Sequence, residues 1–334
     1  MILHPPIIAL LLGSILTCSM LLLAAWDGIR IVRKWDIRSG SELQLGLERK
    51  TYLISTIISY AFGFQLLSFF LFIYTVDDLS RLFVGAMCAV GTLNVNSYGY
   101  PTLVLKIVNF LLAGTWLIVN YTDNQAYDYP LIKKKYLLLL FIMPFILAET
   151  TLQAVYFLQL SPDVITSCCG SLFSTATPGV TSGLASFPSL QMKIVFYSWI
   201  GVTLLTGIFF YRTTGRAGYL FSFLGTAAFF VSVMALISFI SLYIYEMPSH
   251  HCPFCILQKE YDYVGYVLYG LLLTGAVSGM GIGLLMPVRG ISSLERVVPS
   301  VLRTLTVTVL ISYGLFTMLA TYRMIFSNFR LAGY

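Results

Sequence analysis

The sequence predicts an all-α, polytopic bundle of about eight transmembrane helices with both termini outside, and three observations carry that expectation. Hydrophobic residues make up 58% of the 334 and charged residues only 10%, too little charge to cover the surface of a soluble domain. The mean hydropathy is +0.84. The apolar residues gather in runs of the roughly 17–25 residues needed to cross a hydrocarbon core about 30 Å thick. The basic residues gather in every second connection between those runs.

The eight runs cover residues 5–26, 52–75, 102–121, 136–160, 194–211, 218–245, 263–287 and 304–326. The N-terminal stretch "MILHPP", in which the first run begins, has no basic residue, and basic residues come after the run, so a cleaved signal peptide is not expected. The segment 83–95, "FVGAMCAVGTLNV", is apolar but short and contains glycine, which predicts a re-entrant or interfacial piece and not a ninth span. The fourth run contains Glu149. An ionisable side chain at that depth is a functional candidate, such as a proton route to a quinone, or a protonated carboxyl hydrogen-bonded to a neighbouring helix. The seventh carries Gly275, Gly279 and Gly283 at the spacing that lets helices approach closely.

Connections 27–50, 122–135, 212–217 and 288–303 hold 14 of the 20 Lys and Arg residues, which marks them as cytoplasmic. The chain is then a single integral membrane domain, 1–334, with outward loops at 76–101, 161–193 and 246–262. The net charge of +6 follows from this inside bias, and no nucleic-acid patch is present. With His4, His250 and His251 as the only histidines and no CxxCH, a haem protein is not expected. Phosphate loops, nucleophile elbows and dinucleotide fingerprints are absent from the sequence.

Cys18 lies in the first run and reads as a small buried apolar residue. The other five cysteines, Cys88, Cys168, Cys169, Cys252 and Cys255, all fall in or beside outward loops. Outside the cytoplasm such thiols tend to oxidise, and an odd count leaves at least one over. Adjacent Cα atoms are about 3.8 Å apart, below the usual disulfide span of about 4.4–6.8 Å. A Cys168–Cys169 bond is therefore strained, and a bridge from one of them to Cys88 or to the CxxC is preferred.

The CxxC in "HHCPFCILQKEYD" admits a structural disulfide, a redox-active disulfide, a metal site or a chance pattern. The metal site would use His250, His251, Cys252 and Cys255, with Cys168 and Cys169 available, and suits zinc or copper(I). The redox reading expects the pair at the N-terminus of the seventh helix, whose positive end stabilises a thiolate. Cys255, nearer the apolar run, would face a lipid-dissolved acceptor. Cys252, farther out beside His250 and His251, would receive electrons from Cys168 or Cys169.

The segment "CPFCILQKE" resembles the Cys-x-x-Cys-Ile-x-Gln/Glu-Arg/Lys element of the DsbB and vitamin K epoxide reductase group of disulfide-forming membrane proteins. That resemblance implies that Cys252 and Cys255 are the quinone-side pair and that Cys168 and Cys169 are shuttle cysteines served by a periplasmic thioredoxin-like partner. The family is built on a four-helix core, whereas this chain offers eight runs. The expectation is a membrane thiol–disulfide oxidoreductase of a bacterial inner membrane, surrounded by the lipid bilayer and linked to quinone. Its alternatives are a transporter that captures a soft metal or sulfur species, and a non-catalytic membrane subunit of a larger complex with structural disulfides.

Overall fold

A computed structural model describes residues 3–37, 39, 41–166, 189–213, 215, 217–248, 250–327 and 329. Among the described residues the regular structure is helical throughout, and eight helices are long and apolar enough to cross a membrane. They are α1 (Pro5–Lys34), α2 (Glu42–Leu79), α3 (Gly99–Asn124), α4 (Ile132–Leu158), α5 (Ser189–Thr213), α6 (Ala217–Ala235), α7 (Val264–Leu285) and α8 (Val297–Phe326). After Ala235, α6 continues through a π-helical turn, Leu236–Ile240, and a last helical turn, Ser241–Tyr245. The expected short segment, 83–95, is not a span: it follows a 3₁₀ turn, Ser80–Leu82, and contains a buried helix, Ala89–Leu93.

The chain forms two compact units. The first comprises the chain up to Thr75, Asn96–Leu160 and Pro287–Val301. Here α1 opens on Pro5, where the missing N–H costs no helical bond, and closes on Arg33 and Lys34, which complement the dipole. Its core joins Leu21, Ile58, Phe62, Trp116, Tyr136 and Leu139. The Trp116 indole packs edge-on to Phe62 at 5.2 Å between centroids and donates to the Lys135 carbonyl at 2.9 Å. Pro144 sits inside α4, a position membrane helices tolerate when freed carbonyls find other donors. Just after it, the Phe145 carbonyl accepts from the Asn109 side chain at 3.1 Å, tying α4 to α3.

The second unit comprises Val76–Val95, Ser161–Met286 and the chain from Leu302. In it the small residues of α7 permit close packing. A Cβ on Gly279 would lie 3.2 Å from the Gly225 backbone. Ser222 Oγ donates to the Gly279 carbonyl at 2.7 Å, and the Tyr313 hydroxyl donates to the Gly225 carbonyl. These bonds turn an apolar contact into a specific one, since lipid tails supply no competing hydrogen bonds.

The basic run at 133–135 departs from its sequence reading. Lys135 is not a free cytoplasmic loop charge. It is fully buried on α4 and paired with Asp123 of α3 at 2.8 Å, with Asn120 Oδ1 at 3.1 Å. The cause is register: α4 begins at Ile132, so Lys135 falls on the face that α4 turns toward α3.

Candidate functional site

The loop from α6 to α7 carries the CxxC and is bounded by backbone that L-residues rarely adopt. Glu246 (φ 54°) closes α6, and Asp262 (φ 56°) and Tyr263 (φ 52°) lead into α7. Left-handed non-glycine residues cost about 1–3 kcal/mol each and cluster at functional sites. Between these ends lie two 3₁₀ turns, Cys255–Leu257 and Lys259–Tyr261, separated by the extended Gln258 (φ −81°, ψ 160°).

This corrects the expectation that the CxxC opens the seventh helix. Helix α7 begins at Val264, and Gln258 with the two left-handed residues interrupts helical continuity before it. The dipole of α7 therefore does not explain any thiolate at Cys255.

What the fold brings to the CxxC instead is Cys88. The sulfurs of Cys88, Cys252 and Cys255 all lie within 4.8 Å of one another, and all three side chains are buried. Cys88 Sγ is 3.7 Å from Cys252 Sγ across 164 residues of sequence. That is contact, not a bond, since a disulfide measures about 2.05 Å. Among the described residues no sulfur pair is at bonding distance.

Both peptides flanking Cys88 are held. The Ala89 N–H donates to Asp77 Oδ1 at 3.0 Å, and Gln258 Nε2 donates to the Met87 carbonyl at 2.8 Å. Gln258 also reaches Asp77 Oδ1 at 3.3 Å, so one side chain ties the CxxC loop to the Cys88 segment. The CxxC backbone has its own anchors: the Tyr245 hydroxyl donates to the Cys252 carbonyl, and the Tyr269 hydroxyl to the Pro253 carbonyl at 2.6 Å. Farther along the Cys88 segment, Gly85 has φ +88°, and a Cβ there would collide with the Thr166 carbonyl oxygen. Thr166 N–H in turn donates to the Val84 carbonyl at 3.0 Å.

The histidines are placed differently from expectation. Cys252 is not the outlying thiol beside them. It is fully buried and in contact with Cys88, and its carbonyl accepts from the Tyr245 hydroxyl. His250 Nε2 instead lies 3.4 Å from Cys255 Sγ, with the Tyr245 ring edge-on at 4.6 Å between centroids. Desolvation pushes the His250 pKa down and His251 adds to this, against an upward pull from Cys88. A ring kept neutral retains a lone pair on one nitrogen. His251 Nδ1 lies 2.9 Å from the Ile237 carbonyl, which sits in the π-helical turn where the regular ladder is broken. A carbonyl only accepts, so Nδ1 of His251 carries a proton and donates it.

Cys168 and Cys169 lie outside the described residues. Cys18 is buried in α1, in the first unit, as a small apolar residue would be.

Glu149 also belongs to the first unit and has partners of its own. Its Oε1 is 2.7 Å from Lys106 Nζ, and its Oε2 accepts from Gln65 Nε2 and Asn109 Nδ2, both at 2.6 Å. Lys106 Nζ is also 5.2 Å from the centre of the Phe72 ring. Lys106 is not among the residues that the sequence singles out as candidates. Its position inside the apolar run "TLVLKIVNFLLAG", with Asn109 three residues on, was the available signal: that spacing puts both on one helix face. Nothing in the sequence singled out Cys88 above the other loop cysteines.

Comparison of the chain with protein families, with curated proteins and with solved structures finds no match.

Proposed function

We propose that this integral membrane protein is a thiol–disulfide oxidoreductase whose redox centre is Cys88, Cys252 and Cys255, acting on the outward side and passing electrons to a quinone. The observation that carries the reading is the 3.7 Å contact between Cys88 and Cys252, with Cys255 in the same sulfur cluster. A central thiol with a second thiol on either side can exchange one disulfide for another by attack of a thiolate on a neighbouring S–S bond. Cys252 is assigned that place because it is in contact with Cys88 and is the CxxC partner of Cys255.

In the cycle, two electrons and two protons enter from a substrate dithiol, which becomes a disulfide while the protein disulfide becomes two thiols. The same two electrons and two protons then leave to a quinone, which becomes the quinol, and the protein disulfide re-forms. His250, against Cys255, is the group that accepts the thiol proton when Cys255 attacks. Cys168 and Cys169 follow Thr166 by two and three positions and supply the shuttle thiols that meet a thioredoxin-like partner. A bacterial inner membrane, with its quinone pool and oxidising outer face, is the setting that suits this chemistry.

The test is quinone-dependent oxidation of a dithiol peptide by the purified protein in lipid vesicles. Cys252→Ser should abolish turnover, and Cys88→Ser should reduce it by at least about tenfold, as expected when a thiol in the exchange path is lost. Turnover by Cys252→Ser at the wild-type rate sinks the proposal.

A further inference from the structure

The sulfur cluster has dimensions that a disulfide relay alone does not require. With metal–sulfur bonds of about 2.3 Å and metal–nitrogen bonds of about 2.0–2.1 Å, a tetrahedral zinc site has S···S edges near 3.8 Å and S···N edges near 3.5 Å. The Cys88–Cys252 separation is 3.7 Å and the His250 Nε2–Cys255 Sγ separation is 3.4 Å. The remaining sulfur separations are no more than 4.8 Å, so bringing the three sulfurs to a tetrahedral face requires a contraction of at most about 1 Å. His250, which meets Cys255 but is not within 4.8 Å of all three sulfurs, must turn inward to complete the site.

The donor set and its support agree with the distances. Three sulfurs and an imidazole select a soft or borderline cation over magnesium or calcium. Asp77, Gln258, Tyr245 and Tyr269 hold the backbone on either side of the donors, as outer groups do around metal ligands. His251 is excluded as a donor to the same ion through Nδ1, which is occupied by the Ile237 carbonyl.

We propose that, in its reduced state, the cluster is a binding site for one tetrahedral d10 cation, zinc(II), held by Cys88, Cys252, Cys255 and His250. It rests on the preceding reading only in that the three thiols must be reduced at one stage. Binding replaces three S–H bonds by three S–Zn bonds and releases up to three protons to solvent, with no change of oxidation state. A bound cation occupies the sulfurs that would otherwise pair, so it protects the reduced form and stops exchange. The site thus links disulfide chemistry to available zinc.

Cobalt(II), as a coloured substitute for zinc, provides the test. The full-length protein with Cys168→Ser and Cys169→Ser, reduced without oxygen and stripped with a chelator, should take up one equivalent. Sulfur-to-cobalt charge-transfer absorption and the intense visible bands of a tetrahedral site should appear, and one equivalent of zinc should bleach them. Cys88→Ser should lower affinity at least about tenfold and reduce the charge-transfer intensity. His250→Ala should lower affinity about tenfold while retaining that absorption. No charge-transfer band in protein whose thiols are all titratable, or a band untouched by Cys88→Ser, overturns the proposal. Quinone-dependent thiol oxidation is measured separately on metal-free protein. Cobalt binding without oxidation removes the relay and keeps the site; oxidation without binding does the reverse.

Discussion

The Lys106 ammonium and the Glu149 carboxylate meet at 2.7 Å, both side chains buried, across the α3–α4 contact of the first unit. Gln65 and Asn109 complete the carboxylate's hydrogen bonding. Removing one partner from a buried pair leaves a charge without compensation and costs about 3–5 kcal/mol, whereas replacing both by apolar groups is often neutral. Glu149→Gln should therefore lower the melting temperature in detergent, and Glu149→Gln with Lys106→Met should recover most of the loss. A single variant as stable as the parent would show that the pair contributes nothing to folding and would leave proton movement as the role to examine.

The second buried pair, Asp123–Lys135 at 2.8 Å, gives a test by exchange. Asp123→Lys and Lys135→Asp should each reduce the yield of folded protein sharply, because each sets like charges together out of water. The two changes combined should restore part of it. Size-exclusion profiles of fluorescently tagged protein read the outcome; a double variant no better than either single one would show that orientation, not charge pairing, holds the site.

Gln258→Leu should disturb the thiol cluster without touching a sulfur. It removes the donor to the Met87 carbonyl and to Asp77, freeing the Cys88 segment to shift. A displacement of about 1 Å is enough to slow a positioned reaction by up to roughly a hundredfold. In a background where Cys168, Cys169 and Cys255 are serine, oxidant-driven Cys88–Cys252 cross-linking should slow by about tenfold or more. Peptide mapping of quenched samples measures it, and an unchanged rate argues against a positioning role for Gln258.

Gly279→Val tests the helix contact of the second unit. The new side chain would press on the Gly225 backbone, 3.2 Å from its Cβ, and disturb the Ser222 bond to the Gly279 carbonyl. Overpacking of this kind costs about 1–3 kcal/mol. Thermal unfolding in detergent should show it, while Gly270→Ala, where a Cβ meets nothing within 4 Å, should be near neutral.

The number and order of helices were legible because each apolar run is long enough to state its own fate in lipid. The Gly275–Gly283 series was legible as packing because its spacing is local to one helix. Cys88 was not, since its meeting with Cys252 depends on how 164 intervening residues fold. The same holds for Lys106 and Glu149, whose pairing lies 43 residues apart. Lys135 was misread for another reason: in "KKK" it is indistinguishable from its two neighbours, and only the start of α4 decides which of the three turns inward. The CxxC was visible as chemistry, but the 3₁₀ turns that separate it from α7 leave no mark in hydropathy.

The two ion pairs have opposite polarity. Helix α3 supplies the cation at Lys106 and the anion at Asp123, and α4 supplies the anion at Glu149 and the cation at Lys135. At 1.5 Å per residue the two charges on each helix are about 20–25 Å apart. Each helix alone would present two ionisable groups to the insertion machinery; a charge at the helix centre costs roughly 2.5–3.5 kcal/mol, and one near a helix end, such as Asp123 or Lys135, costs less. Matched as a hairpin, they present none. The short connection between Asn124 and Ile132 lets the first helix wait for the second during synthesis, so α3 and α4 should leave the translocon together. Sliding one past the other by a turn would unmatch both pairs at once, which makes the charges an alignment code for co-translational assembly.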